Sequence, residues 1–129
     1  MIFLPLLLSI TLNTSSNSVA NSNLSKNHLV QCTAFATIND FDLVKKEKTV
    51  MIQWSTNIEV NNCCFEIEKS LDGTIFKNIG KVTGGINTNK ESWYVFTDEA
   101  PTAGKLYYRI KLLNIDGKTD GSFTKSLVF

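Results

Sequence analysis

The sequence predicts an all-β fold, a sandwich of antiparallel strands, and three observations support this prediction. From about residue 35 onward, apolar and polar residues alternate with period two, as they do in a strand with one buried face. Gly and Asp interrupt the alternation at short intervals, which is typical of the turns that connect strands. No segment shows the 3.6-residue apolar period of an amphipathic helix.

The alternation predicts seven strands in chain order. They cover approximately residues 35–44, 50–55, 65–68, 75–82, 93–97, 106–114 and 119–128. Asp72-Gly73 and Asp116-Gly117 provide tight turns between strands, because Gly adopts the positive φ that hairpin turns require. Seven strands in about 95 residues match the strand count and size of a small immunoglobulin-like β-sandwich.

The apolar side of each strand is expected to point into the sandwich. Trp54 shares one side of the second strand with Val50 and Ile52. The predicted core is Trp54, Phe65, Ile67, Phe76, Tyr94, Phe96, Tyr108 and Ile110. Each of these large side chains contributes roughly 1.5–3 kcal/mol on burial, before conformational entropy is subtracted. Such a core is adequate for a domain of this size without obligatory disulfides.

The first 34 residues differ from the rest in composition. An apolar run covers residues 2–12, and small residues follow at 18–20, which is the pattern of a secretory signal peptide. We expect residues 1–20 to be removed between Ala20 and Asn21, and residues 21–34 to form a polar linker before the domain at 35–129. The apolar run is about half the length needed to cross a bilayer, so no permanent membrane span is expected. The protein is therefore predicted to be secreted or held at the cell envelope.

Composition argues against several classes of function. The formal net charge is +1, and a nucleic-acid-binding protein normally has a strong excess of Lys and Arg. The single histidine, His28, lies in the predicted linker, whereas hydrolases and zinc enzymes need an imidazole base or several imidazole ligands. Residues 114–121 offer oxygens at alternate positions, but Lys118 stands at one of the ligand positions of a calcium loop. We expect no catalytic residues, no metal and no cofactor.

Outward-facing side chains supply the candidate binding residues. Trp93, Tyr107 and Arg109 are expected on the outer surface, where a flat aromatic ring is a docking surface for a sugar or a peptide. Trp93 and Tyr107 are expected on opposite sheets. Glu66 and Glu68 are predicted to face the positive charges of Arg109 and its neighbour Lys111 on an adjacent strand. The expected partner is a protein or a glycan of unknown identity.

Three cysteines cannot all pair within one chain. In an oxidising compartment, Cys32, Cys63 and Cys64 predict one disulfide and a free thiol, or a bond to another chain. Cys32 is able to pair with either Cys63 or Cys64, and the sequence does not choose between them.

The order and spacing of several segments resemble one known kind of module. These segments are 50–56 (VMIQWST), 59–62 (EVNN), 65–70 (FEIEKS), 72–73 (DG), 79–82 (IGKV), 94–98 (YVFTD), 107–111 (YYRIK) and 116–117 (DG). Together they are similar to the fibronectin type III-like modules of secreted and surface proteins of bacteroidete bacteria. The resemblance covers residues 35–129. It implies a core role for Trp54 on the second strand and a tyrosine-rich sixth strand at Tyr107 and Tyr108.

The resemblance also implies a function. Such modules are non-catalytic and serve protein interaction, adhesion or spacing at the cell envelope. A carbohydrate-binding module that uses its exposed aromatic residues is the first alternative. The second alternative is a truncated piece of a larger type IX-secreted adhesin or enzyme-associated protein, because such modules usually lie inside long chains. The cysteine pair Cys63-Cys64 departs from the resemblance, since such modules tend to have a small polar residue and an aromatic residue there.

Overall fold

A computed structural model describes residues 33–129 as an all-β structure with six antiparallel strands and no helix. The strands are β1 (Phe35–Lys45), β2 (Val50–Ser70), β3 (Lys77–Thr88), β4 (Ser92–Asp98), β5 (Lys105–Asn114) and β6 (Thr119–Val128). Together they form one curled antiparallel sheet. The all-β prediction is confirmed, and the predicted positions of most strands agree with the structure.

The number of strands differs from the expected seven because two predicted strands are one. Residues 50–55 and 65–68 both belong to β2, which is 21 residues long. No Gly or Pro lies between residues 50 and 70 to end the strand. The strand bends instead of stopping: Asn61 has a φ of 52°, and the pairing with β3 shifts between Glu59 and Asn62. Asn tolerates this left-handed conformation better than most residues.

The two parts of β2 have different neighbours. Residues 50–56 pair with β1 on one side and with β4 on the other. Residues 62–70 pair with β3 and β5, and β6 pairs with the free side of β5. We refer to β1, the first part of β2 and β4 as the first layer, and to β3, the second part of β2, β5 and β6 as the second layer.

Trp54 is at the centre of the hydrophobic core. It is fully buried, as are Phe65, Ile67, Tyr108 and Ile110. The Trp54 ring lies 5.3 Å from the Phe65 ring, edge to face, and stacks on the Tyr94 ring at 5.5 Å. Tyr94 and Phe96 are half-buried against the same cluster. Seven of the eight predicted core residues therefore contact or form the core.

Phe76 is the exception and corrects the prediction. It is half-buried outside the core cluster, and the Arg109 guanidinium carbon lies 3.9 Å from the centre of its ring. The strand β3 begins at Lys77, so Phe76 precedes the strand and the alternation does not fix its direction. Phe96 occupies the space beside β3 instead, where a Cβ at Gly80 would lie 2.2 Å from its ring.

Two predicted turns are present. In the first, Gly73 has a φ of 77°, and Asp72 Oδ1 accepts hydrogen bonds from the backbone N–H groups of Thr74 and Ile75. These bonds lower the pKa of Asp72. In the second, Gly117 has a φ of 79° and its N–H donates to the Asn114 carbonyl oxygen at 2.9 Å.

Several predictions concern residues that precede Thr33. The signal peptide at 1–20, the cleavage between Ala20 and Asn21, most of the linker, and Cys32 lie outside the described residues. Within residues 33–129, no helix is long and apolar enough to cross a membrane.

Candidate functional site

Among residues 33–129, Trp93 is the most exposed aromatic side chain. It lies on β4 and is 58% exposed, because the neighbouring residue Tyr94 takes the inward side of the strand. Val95, two residues further on, points outward as well and is 54% exposed. Trp93 and Val95 pair in register with Ser55 and Gln53 of β2. The outward position predicted for Trp93 agrees with the structure.

A depression of about 430 Å³ adjoins Trp93. It is lined by Asp40, Phe41, Asp42, Gln53, Trp93 and Lys125. The depression is shallow and open to solvent, so a ligand would lie on its surface and would not be enclosed. We call this feature the Trp93 depression.

A bulge in β1 shapes one wall of the Trp93 depression. The pairing of β1 with β2 shifts between Asn39 and Asp42, and Asp40 has a φ of 46°. Bulges of this kind redirect side chains next to binding sites. The Ser55 hydroxyl donates to Asp40 Oδ2 at 3.2 Å, which fixes this carboxylate.

A cation from another strand lies beside the bulge. Lys125 Nζ of β6 lies 3.6 Å from Asp42 Oδ1 and 5.7 Å from the centre of the Phe41 ring. The Trp93 depression therefore combines a flat indole with two carboxylates, one amide and one ammonium group. These groups are suited to binding a small ligand with an apolar face and a polar rim.

The ring of Tyr107 is less accessible to a ligand than the ring of Trp93. It is half-buried, and a Cβ at Gly73 would lie 3.1 Å from its ring. Lys105 Nζ also lies 5.1 Å from the centre of the Tyr107 ring. The ring therefore covers the turn at Gly73.

Arg109 is engaged on both sides of its guanidinium. Arg109 Nε donates to Glu68 Oε2 at 2.6 Å, and the guanidinium stacks on Phe76. Lys111 Nζ lies 3.2 Å from Glu68 Oε1 and 3.5 Å from Glu66 Oε2. Glu66 and Glu68 pair in register with Lys111 and Arg109. The predicted ladder of opposite charges is confirmed, and it occupies Arg109 within the protein.

A buried carboxylate at the bend of β2 was not predicted. Glu59 is 1% exposed and accepts hydrogen bonds from Thr56 Oγ1 at 2.8 Å, Asn62 Nδ2 at 2.7 Å and the Gly85 N–H at 2.7 Å. The Tyr94 hydroxyl donates to the same carboxylate. Burial alone would raise the pKa of Glu59, but these hydrogen bonds outweigh burial and lower it. The site fixes the bend and joins β2 to β3 and β4.

A second buried carboxylate lies at the end of β4. Asp98 Oδ2 accepts hydrogen bonds from Lys69 Nζ at 2.7 Å and from the Tyr108 hydroxyl at 2.8 Å. Burial opposes ionisation of Asp98, but the bonds from Lys69, Tyr108 and the Ala100 N–H lower its pKa. Burial and Asp98 together raise the pKa of Tyr108. In the sequence, the one indication of this cluster was the polar residue Asp98 directly after the apolar residues of a predicted strand.

The two cysteines in the described part of the chain are free thiols. Cys64 is buried and Cys63 is half-buried. Burial, with the neighbouring Cys63 thiol, raises the pKa of Cys64 to about 11. Both residues lie where the pairing of β2 shifts between Asn62 and Cys64. Among residues 33–129, no group of three or more His, Cys, Asp or Glu side chains has the geometry to hold a metal ion.

Comparisons with known proteins identify no relative. No family model, no curated protein and no solved structure matches the chain.

Proposed function

We propose that residues 35–129 are a fibronectin type III-like, immunoglobulin-like β-sandwich that works as a non-catalytic interaction module at the cell envelope or outside the cell. The observation that carries this proposal is the exposed Trp93 beside a depression on a strand-built surface. Trp93 lies on a regular strand, which keeps its position without a ligand and so reduces the entropy cost of binding.

The strand pairing supports the sandwich. If the two parts of β2 on either side of Glu59–Asn62 are counted separately, seven strand segments result, three in the first layer and four in the second. This division resembles that of immunoglobulin-like domains.

Export is supported by the pattern of residues 1–20 alone. Expression of the full chain in an export-competent bacterial host tests it. We expect the protein in the extracytoplasmic fraction with Asn21 as its first residue by terminal sequencing. Protein that stays in the cytoplasm with Met1 intact would remove export from the proposal.

Binding is tested with the purified protein on arrays of extracellular matrix proteins, peptides and glycans. We expect reproducible retention on at least one class, and loss of this retention in Trp93→Ala. Phe35→Ala is the matched control, since Phe35 is an aromatic residue that is 56% exposed and does not line the Trp93 depression. Equal retention by the two variants, or no retention by the folded protein, would contradict the proposed function.

A further inference from the structure

We propose that the Trp93 depression binds an uncharged saccharide, with a sugar ring stacked on the Trp93 indole and its hydroxyls bonded by Asp40, Asp42 and Gln53. This inference rests on the proposed function, because it names the ligand of the same site. The shape, the hydrogen-bonding groups and the charge of the depression support it.

The indole of Trp93 supplies a flat apolar surface of the kind that a sugar ring needs. A pyranose ring has a face of C–H groups, and burying that face on an aromatic ring removes apolar area from water. Trp93 is 58% exposed, and Val95 extends the apolar surface along the same strand. Among the described residues, the other two candidates are already engaged within the protein: the Tyr107 ring packs on the turn at Gly73, and Arg109 stacks on Phe76.

The rim of the depression supplies partners for hydroxyl groups. A sugar hydroxyl both donates and accepts, so carboxylates and amides, which have two polar atoms each, are able to bind adjacent hydroxyls. Asp42 and Gln53 are register partners on β1 and β2, and Asp40 is held by Ser55. These three side chains therefore start from positions that the strands and the bulge define.

The charge of the depression favours a neutral ligand. Of the two carboxylates, Asp42 is paired with Lys125, which leaves Asp40 as the excess negative charge among the lining residues. This single exposed charge weakly disfavours a uronate or a sulfated sugar. One uncompensated carboxylate in contact with water is also a weak attractant for a cationic ligand.

The position of the depression disfavours an extended peptide. Peptides that bind β-structures usually add a strand at an edge, where unpaired N–H and C=O groups are available. Gln53 lies in the middle of the first layer and is paired with Asp42 on one side and Val95 on the other. The backbone of Gln53 is therefore not available for strand addition, whereas β1 and β4, which carry Asp42 and Trp93, each pair only with β2. Hexalysine in the test below covers the case of a peptide ligand.

The test is a titration of the purified full protein, followed by tryptophan fluorescence and calorimetry. The probes are neutral hexasaccharides of glucose, N-acetylglucosamine, mannose and xylose, polygalacturonate as the anionic probe, and hexalysine as the cationic peptide. We expect at least one neutral hexasaccharide to bind and to change the emission of Trp93. In Trp93→Ala the affinity should fall at least about tenfold, whereas in Phe35→Ala it should be unchanged.

Charge-neutral variants separate the saccharide from a cationic ligand. The double variant Asp40→Asn with Asp42→Asn keeps polar groups at both positions and removes both charges. We expect it to bind the neutral hexasaccharide about threefold to tenfold more weakly, because the amides keep hydrogen-bonding groups but lose the assistance of the charge, whereas a ligand held by the two charges would lose its binding. Gln53→Ala, which removes a hydrogen-bonding partner, should weaken the same binding about threefold to tenfold.

The outcomes distinguish this inference from the proposed function. Binding to hexalysine or polygalacturonate but to no neutral saccharide, still dependent on Trp93, would refute the saccharide and keep the interaction module. Binding of a neutral saccharide that is unchanged in Trp93→Ala would refute the site. A folded protein that binds none of the probes in the titration and nothing on the arrays would overturn both proposals.

Discussion

The two tryptophans, Trp54 and Trp93, lie on adjacent strands of the first layer but in opposite surroundings. Trp54 pairs in register with Tyr94, and Trp93 pairs with Ser55, so the two positions differ by one residue along each strand. That offset puts Trp54 in the core with no exposed surface and leaves Trp93 58% exposed. A shift of one residue in register exchanges the two faces of a strand. The comparison shows that the same residue type stabilises the fold at one position and is available to a ligand at the next.

Replacing Trp54 should have the largest effect on stability. Trp54→Ala removes a side chain that packs on Phe65 and Tyr94, and it should lower the free energy of unfolding by about 3–5 kcal/mol. Urea denaturation followed by circular dichroism measures this change. A decrease in the free energy of unfolding of less than about 1 kcal/mol would show that Trp54 is not at the centre of the core.

The carboxylate beside the Trp54 cluster gives the next largest effect. Glu59→Gln places an amide NH₂ where one oxygen accepts two hydrogen bonds, and each donor left unpaired costs about 1–3 kcal/mol. We expect a loss of about 2 kcal/mol or more at pH 7, measured by urea denaturation.

The loss of stability at acidic pH tests the contribution of the ionised Glu59 carboxylate. Because the pKa of Glu59 is lower in the folded protein than in the unfolded chain, its contribution is complete above about pH 4.3 and is lost as the pH falls through the lower, folded value. Asp98 acts in the same direction. Denaturation curves at several acidic pH values should show a shallower loss of stability in Glu59→Gln than in the unchanged protein. If stability fell equally steeply with pH in both proteins, Glu59 would not have a lowered pKa in the folded state.

The loss of stability at alkaline pH tests the contribution of Tyr94, whose ring stacks on Trp54. Its pKa is raised to about 12 by burial and by Glu59, so the neutral hydroxyl is favoured in the folded state. The contribution of Tyr94 is therefore complete below about pH 10 and is lost as the pH rises through about 12. Tyr94→Phe should lose about 1 kcal/mol at pH 7 and show a smaller further loss between pH 10 and 12. An unchanged alkaline slope would count against this contribution.

Trp93 should show the smallest effect on stability. Trp93→Ala removes an exposed side chain and should change the free energy of unfolding by less than about 0.5 kcal/mol. Its emission should be quenched by acrylamide in the unchanged protein, whereas the variant retains only the protected emission of Trp54. A destabilisation of more than about 2 kcal/mol in Trp93→Ala would end the contrast between the two residues.

Much of the fold follows from local sequence. Alternation predicts the strand positions, the buried Trp54 and the outward Trp93, because strand geometry sends successive side chains to opposite faces. The ladder of Glu68 and Arg109 follows from the same rule together with the neighbouring strands expected in an immunoglobulin-like topology. These features depend on a period and on strand order, and both can be read along the chain.

Other features depend on where the chain departs from regularity. The union of two predicted strands into β2 required a bend at Asn61 that alternation does not encode. The Glu59 cluster joins residues from three strands around that bend. The Trp93 depression needs the bulge at Asp40 and a lysine from β6. In each case the contacts are set by tertiary geometry, which a local pattern does not contain.

Because β2 is one continuous strand, we expect residues 35–129 to unfold as a single cooperative unit. This strand donates and accepts hydrogen bonds with β1, β3, β4 and β5, so opening either layer releases a strand on which the other depends. The amide hydrogens of β2 should therefore exchange with solvent only when the whole domain unfolds. A ligand that binds only the folded state slows such global exchange. Binding at Trp93 should then protect the amide of Ile67, which lies in the other layer and does not line the depression.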